Sequence, residues 1–235
     1  MRSMRLSPEA IVPGVSSLRR PGTRMTEAAA IAERPPRKPR AKRQPPTVRR
    51  QDLLAITVSC LARLGPRGAT GREICRQAGV SHGLLRHYFQ KPDNLLFETY
   101  ELLCDQLITH LEEQVGEIGT TPWAALSRFF QAAFSKEWAS ADVIGAWMAF
   151  WQLARGREDF AIVSARFNAR QRALMERIVR QLPGAGQAVP IVDSIAVLSA
   201  VLDGLWIEFY LSEERTPKDR CIALCEVTAK RLFCA

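Results

Sequence analysis

The sequence predicts an all-α protein of about nine helices, a compact three-helix unit near residue 50 followed by a larger helical bundle. Three observations predict this. From Arg50 onward apolar residues recur at three- and four-residue steps. Gly and Pro punctuate the chain at helix-length intervals, and no segment shows the apolar/polar alternation of a half-buried strand or an internal repeat.

The chain divides first by charge. Its 235 residues carry a net charge of +9, yet residues 1–47 hold eleven Lys and Arg against three Glu, so the remainder is nearly neutral. Eight of the 14 prolines also lie in that segment, which ends in Arg34-Pro35-Pro36-Arg37-Lys38-Pro39-Arg40. Such a stretch buries too little apolar surface to fold and is expected to be a disordered basic arm. Met25 is an alternative start, since nothing before it reads as structured. No secretory apolar centre is visible, and no uninterrupted apolar run approaches the roughly 18 to 20 residues of a membrane helix, so a cytoplasmic protein with no membrane partner is expected.

The first helix is carried by Leu53, Leu54, Val58, Leu61, Ala62 and Leu64, and Gly65-Pro66 stops it. Thr70-Gly71-Arg72-Glu73 has the capping-box form, with Thr70 accepting one free N–H and Glu73 reaching back for another, and this second helix ends at Ala78-Gly79. Ser81 caps a third short helix to Phe89, with Leu85 and Phe89 on one face. Pro92 fits the first turn of a long fourth helix through Leu95, Leu96, Tyr100, Leu103, Leu107 and Leu111. Further helices are expected from Thr121-Pro122 to Phe134, Ala141 to Ala154, Asp159 to Leu182, Pro190 to Leu211 and Pro217 to Phe233. The helix after Pro190 is apolar nearly all round and is expected to be buried on several sides. Residues 48–95 thus read as one domain and 96–235 as a second.

Two short helices around a Gly turn, the second opening with polar residues, make a helix-turn-helix between Thr70 and Phe89. With Leu85 and Phe89 inward, the third helix presents His82, Gly83, Arg86 and His87. An Arg fork matches guanine O6 and N7, imidazoles bond base edges, and a Gly lets backbone approach DNA closely. Short helices around a Gly are also common packing, and a basic face is often only solvated. The fixed-spacing set Gly65, Thr70, Ile74-Cys75-Arg76-Gln77-Ala78-Gly79-Val80-Ser81 and Tyr88-Phe89 resembles the DNA-binding domain of the TetR (tetracycline-repressor) family. That resemblance implies base-facing roles for Arg72, His82, Gly83, Arg86 and His87, and phosphate contacts for Thr70, Ser81 and Tyr88. The sequence departs from the family pattern at Gly71, where an apolar residue is usual, and at Pro92, where a Lys is usual; Lys91 then stands in for the phosphate contact.

Ala146-Trp147-Met148-Ala149-Phe150-Trp151 and Leu202-Asp203-Gly204-Leu205-Trp206 resemble the ligand-binding part of choline-responsive repressors of betaine synthesis in the same family. Trp147, Phe150 and Trp151 share one helical stripe, and with Trp206 they are candidates for a cation–π cage around a quaternary ammonium. Aromatic stripes at this spacing also serve as plain core. Asp203 and Glu208 become anionic partners only where they face that cavity. The resemblance implies a homodimer through the last two helices; a dimer requires a near-palindromic double-stranded DNA operator, and a small-molecule effector is expected to relieve repression, with activation as the alternative.

The six cysteines form no Cys-x-x-Cys pair and the three His are not at ligand spacing with them, so reduced buried thiols and no metal are expected. No cofactor is expected. Neither a Gly-rich phosphate loop nor a nucleophile elbow nor a His flanked by paired acids is present in the sequence, so a non-enzyme is expected. The competing reading is a non-specific binder of nucleic acid or anionic surfaces acting through the basic arm.

Overall fold

A computed structural model of the chain describes residues 46–119, 121–212 and 216–233, with side chains from residue 49. The basic arm before Pro46 and the sixth cysteine, Cys234, lie outside the described residues, and the five described cysteines are buried and free. Nine helices and no strand occur among the described residues: α1 (Pro46–Gly68), α2 (Gly71–Ala78), α3 (His82–Phe89), α4 (Pro92–Val115), α5 (Pro122–Ala133), α6 (Ala141–Ala154), α7 (Glu158–Val179), α8 (Ile191–Leu211) and α9 (Lys218–Phe233).

In α1 the stripe Leu53, Leu54, Val58 and Leu61 is buried. The helix breaks at Gly65, whose φ of 65° is the left-handed value that Gly adopts without a Cβ penalty. Leu64, expected in the stripe, is instead exposed, because it sits at the break and lies against Gly68 rather than the core.

The start of α2 corrects the capping box. Thr70 does accept from the Glu73 N–H at 3.3 Å, but Glu73 does not reach back. Its carboxylate takes Arg76 Nε at 2.8 Å and Gln77 Nε2 at 2.8 Å, and the Thr70 N–H donates to the Gly68 carbonyl at 2.8 Å. A charge-assisted bidentate bond to a guanidinium one turn away outcompetes a neutral backbone donor. The Arg76 bond, aided by Gln77, holds the Glu73 carboxyl well below its usual range, at about 2. Gly79 closes α2 in the left-handed conformation, with Val80 N–H donating to the Cys75 carbonyl at 3.0 Å.

Leu95, Leu96, Tyr100, Leu103, Leu107 and Leu111 form the buried face of α4, and the helix runs unbroken through the expected boundary at 95 and 96. Its outer face is tied to α7 by Arg166–Glu101 at 3.2 Å and by Arg170 to Asp105 at 3.3 Å and Glu112 at 3.4 Å. Solvated pairs of this kind contribute at most about 1 kcal/mol each, so they set register more than stability.

Stability comes from the aromatic core below them. Tyr100 stacks on Phe150 with centroids 4.5 Å apart and on Phe160 at 5.8 Å. Against this core α6 packs closely on α1. Ser59 Oγ donates to Asp142 Oδ2 at 2.5 Å, and a Cβ on Gly145 would stand 3.0 Å from Ala62 Cα and 2.8 Å from the Tyr210 hydroxyl.

The α8 helix corrects two expectations. It buries one face, Ser194, Ile195, Leu198, Leu202 and Trp206, and leaves Val192, Val197 and Leu211 exposed, so it is not enclosed on several sides. By length and composition alone it also reaches the measure of a membrane span, with 21 residues and a mean hydropathy of 1.5. Asp193, Asp203 and Glu208 interrupt its apolar runs, which is why run length alone missed it. Its buried face is part of the bundle core, with Trp206 Nε1 donating to the Ala133 carbonyl at 3.2 Å.

Candidate DNA-reading surface and effector cleft

The reading surface is built from the caps outward. Ser81 accepts from the Leu84 N–H at 3.2 Å and so starts α3 immediately after the Gly79 turn. Leu85 and Phe89 anchor α3 in the core at 0% and 1% exposure. This leaves His82, Gly83, Arg86 and His87 exposed together on one side, with Arg72 exposed on α2. Among the described residues neither Arg72 nor Arg86 has an ion-pair partner, whereas Arg76 is held by Glu73. A cation left unpaired is available to an incoming phosphate or base edge.

Gly83 is informative. A Cβ there would meet only Ser81 Oγ at 3.7 Å, an ordinary contact, so nothing inside the protein requires a Gly at that position. Thr70, Ser81 and Lys91 are exposed at the starts of α2, α3 and α4, while Tyr88 is half-buried with its ring edge-on to His87 at 5.3 Å.

A second feature lies in the bundle. Trp147 and Trp151 of α6, Phe167 of α7 and Trp206 of α8 line one cleft with about 30 Å³ of free volume. Trp147 stands edge-on to Phe167 at 5.0 Å and to Trp206 at 5.7 Å. Leu107 and Leu111 of α4 and Ala133 of α5 close the apolar side, and Asn168, Gln171 and Asp203 supply polar groups. Asp203 is exposed at the mouth, yet the protein mass around it desolvates the carboxylate and raises its pKa to about 6.

Of the sequence-predicted cage residues, Trp147, Trp151 and Trp206 meet in this cleft, and Phe150 does not. A three-residue step turns Phe150 to the other flank of the stripe, where it is fully buried between Tyr100 and Phe160. Asp203 faces the cleft and Glu208 does not line it. Sequence reasoning missed Phe167, Asn168 and Gln171. Their signal was Asn and Gln sharing a helix face with an aromatic, at steps of three and four. Among the described residues no cluster of His, Cys, Asp and Glu could hold a metal ion.

A three-helix unit with an exposed, basic second reading helix, carried on a helical bundle, defines a DNA-binding transcriptional regulator. Residues 122–233 match the BetI-type transcriptional repressor C-terminal family. The chain is 27% identical over 170 residues to the HTH-type transcriptional regulator BetI of Vibrio vulnificus, covering 72% of this chain and 84% of that protein. It is 25% identical over 182 residues to BetI of Escherichia coli K12, covering 76% and 90%. Among solved structures, a transcriptional regulator from Pseudomonas aeruginosa PAO1 superposes with a TM-score of 0.71 at 32% identity, covering 82% of this chain and 94% of that one. A regulator from Saccharomonospora viridis, solved in complex with choline, superposes with a TM-score of 0.65 at 16% identity, covering 76% and 93%. The chain belongs to the TetR family of transcriptional regulators, with a C-terminal part of the BetI type.

Proposed function

We propose that the chain is a homodimeric repressor that leaves a near-palindromic operator when a quaternary ammonium compound enters the cleft. The observation that carries this reading is the convergence of Trp147, Trp151, Trp206 and Phe167 with the carboxylate of Asp203 around one space. Aromatic faces and a carboxylate together favour a cation, and aromatic faces accept a quaternary ammonium without a hydrogen bond. The choline complex of the Saccharomonospora viridis regulator supports the same class.

The cleft is narrow, with about 30 Å³ of free volume. Drug-sized pockets span roughly 300 to 1,000 Å³, so a ligand that fills this cleft is expected to favour a state whose walls stand further apart. Binding therefore draws the population toward that wider state. The walls are segments of α4, α5, α6, α7 and α8, and α4 is the same helix that begins beside the reading surface.

Dimerisation is read from α8 and α9. Val192, Ala196, Ala200 and Gly204 recur at steps of four on the uncovered side of α8, and Val227 is exposed on α9. Small residues at that spacing let two copies approach closely about a twofold axis. Two reading helices are then separated by about 34 Å or a multiple of it.

DNA and effector binding are tested together. The full chain selects duplexes from a random pool, and choline is titrated against tryptophan fluorescence and release of the selected duplex. Enrichment of a palindrome and release by choline are the expected results. A fluorescence response without release overturns the coupling, and no response from either signal overturns the cation cleft.

A further inference from the structure

The inference drawn here rests on the DNA-binding reading and concerns the two positions at which the sequence departs from its family. Gly71 opens α2 and Pro92 opens α4, and in the fold the two residues meet. A Cβ at position 71 would stand 2.7 Å from Pro92 Cγ and 3.0 Å from Pro92 Cβ. Non-bonded carbons are at their optimum near 3.5 to 4.0 Å, so either distance is strongly repulsive. A long side chain at position 92 would swing aside. The pyrrolidine ring is closed onto the backbone and cannot.

Gly71 is not required by its own backbone, because its φ is not among the positive values of the chain. It is also a poor helix former. What excludes a side chain at position 71 is its neighbour. The two departures from the family pattern are therefore one feature, in which the Pro92 ring occupies the space that a side chain at position 71 would fill.

We infer that the Gly71–Pro92 contact is a positioning contact for operator recognition, fixing the start of α2 against the start of α4. Thr70 and Lys91 immediately precede the two residues, so the contact also sets the separation of these two exposed groups. The other end of α4 lines the effector cleft at Leu107, about 22 Å further along at 1.5 Å per residue. One continuous helix thus begins on α2 at Pro92 and reaches the cleft at Leu107.

A double-mutant cycle on the full chain tests this, using a duplex that the wild-type protein selects from a random pool and a scrambled duplex of equal length. Gly71→Ala is expected to weaken binding of the selected duplex about tenfold and to leave the scrambled duplex unchanged. Pro92→Ala alone is expected to stay within about threefold of wild type, and Gly71→Ala with Pro92→Ala to recover part of the loss, since the 2.7 Å obstruction by Cγ is gone while the Cβ at 3.0 Å stays. Thermal unfolding midpoints are read in parallel, because a contact that served folding alone would move the midpoint without changing the ratio of selected to scrambled affinity. Should Gly71→Ala alone fail to fold, recovery of folding and selective binding in the double variant establishes the same coupling.

The inference is overturned if Gly71→Ala binds the selected duplex as wild type does, if the double variant is as weak as Gly71→Ala, or if both duplexes lose affinity equally. A wild-type chain that selects no duplex overturns the DNA-binding reading itself, which is a separate result from an uncoupled cycle.

Discussion

Arg86 and Gly83 make opposite demands on α3, and both are testable. Arg86 is exposed and has no ion-pair partner among the described residues, so Arg86→Ala is expected to cost about 1 to 3 kcal/mol at one base pair and to relax preference there. Competition between single-base variants of the selected duplex reads this. A Cβ at position 83 would make only an ordinary contact, with Ser81 Oγ, so Gly83→Ala is expected to raise protein stability by about 0.5 to 1 kcal/mol through helix propensity. The same change is expected to weaken the operator complex, because beyond its ordinary contact with Ser81 Oγ the added methyl would stand between α3 and the duplex. A variant that is more stable and binds as well shows that no backbone approaches the duplex there. Asp203 carries the pH dependence. Desolvation lifts its folded pKa from the ordinary 3.8 to about 6, so its charge opposes folding, and that part of the stability is present below pH 4 and lost as pH rises through about 6. A permanent cation prefers the carboxylate, so choline affinity is expected to rise with pH up to about 6 and then level off. In Asp203→Asn the affinity slope is expected to vanish, as read by fluorescence titration at pH 5 and 7.5.

Between these residues, α6 links the cleft to the reading unit. It presents Trp147 and Trp151 to the cleft, and one turn or two earlier it packs on α1 through Asp142 and Gly145. Gly145→Val is expected to force α1 and α6 apart against Ala62 and Tyr210, at a cost of about 1 to 3 kcal/mol in stability. If that seam transmits ligand binding, the choline concentration for half-release shifts while choline affinity measured without DNA does not. The helices themselves were legible because their signals are short-range: the Thr70 and Ser81 caps, the Gly79 turn, Pro at the first position of α4. What was not legible depends on where the core lies. Phe150 and Trp151 are adjacent in the sequence and part company only because the core at Tyr100 and Phe160 sits on one flank of the stripe. Glu73 likewise had two partners at local spacing, and strength of charge rather than pattern chose Arg76.

For the whole chain, the nearly neutral body and the basic arm are expected to divide the work of binding DNA. The eleven Lys and Arg before Pro46 are expected to supply non-specific attraction, and α2 and α3 the preference. Removing residues 1–45 is expected to flatten the salt dependence of binding while the same palindrome is footprinted. Loss of all preference would assign recognition to the arm. The apolar outer face of α8 was legible as apolar, but burial was overread, because a composition cannot distinguish a helix enclosed by its own chain from one with an apolar face left open. A change such as Val197→Asp on that face is expected to convert a dimer into monomers in sedimentation while the thermal midpoint moves little.

The meeting of Gly71 with Pro92 also limits how this regulator can be rewired. A designer who moves the two reading helices of another protein onto this bundle imports whatever stands at position 71, and any side chain there collides with the Pro that stays behind. The interchangeable module therefore does not end at Phe89 but includes the first residue of α4. By the same reasoning the order of change is constrained: a lineage can reach this pair by losing the side chain at position 71 first, whereas gaining the Pro first passes through a protein whose reading helix is displaced.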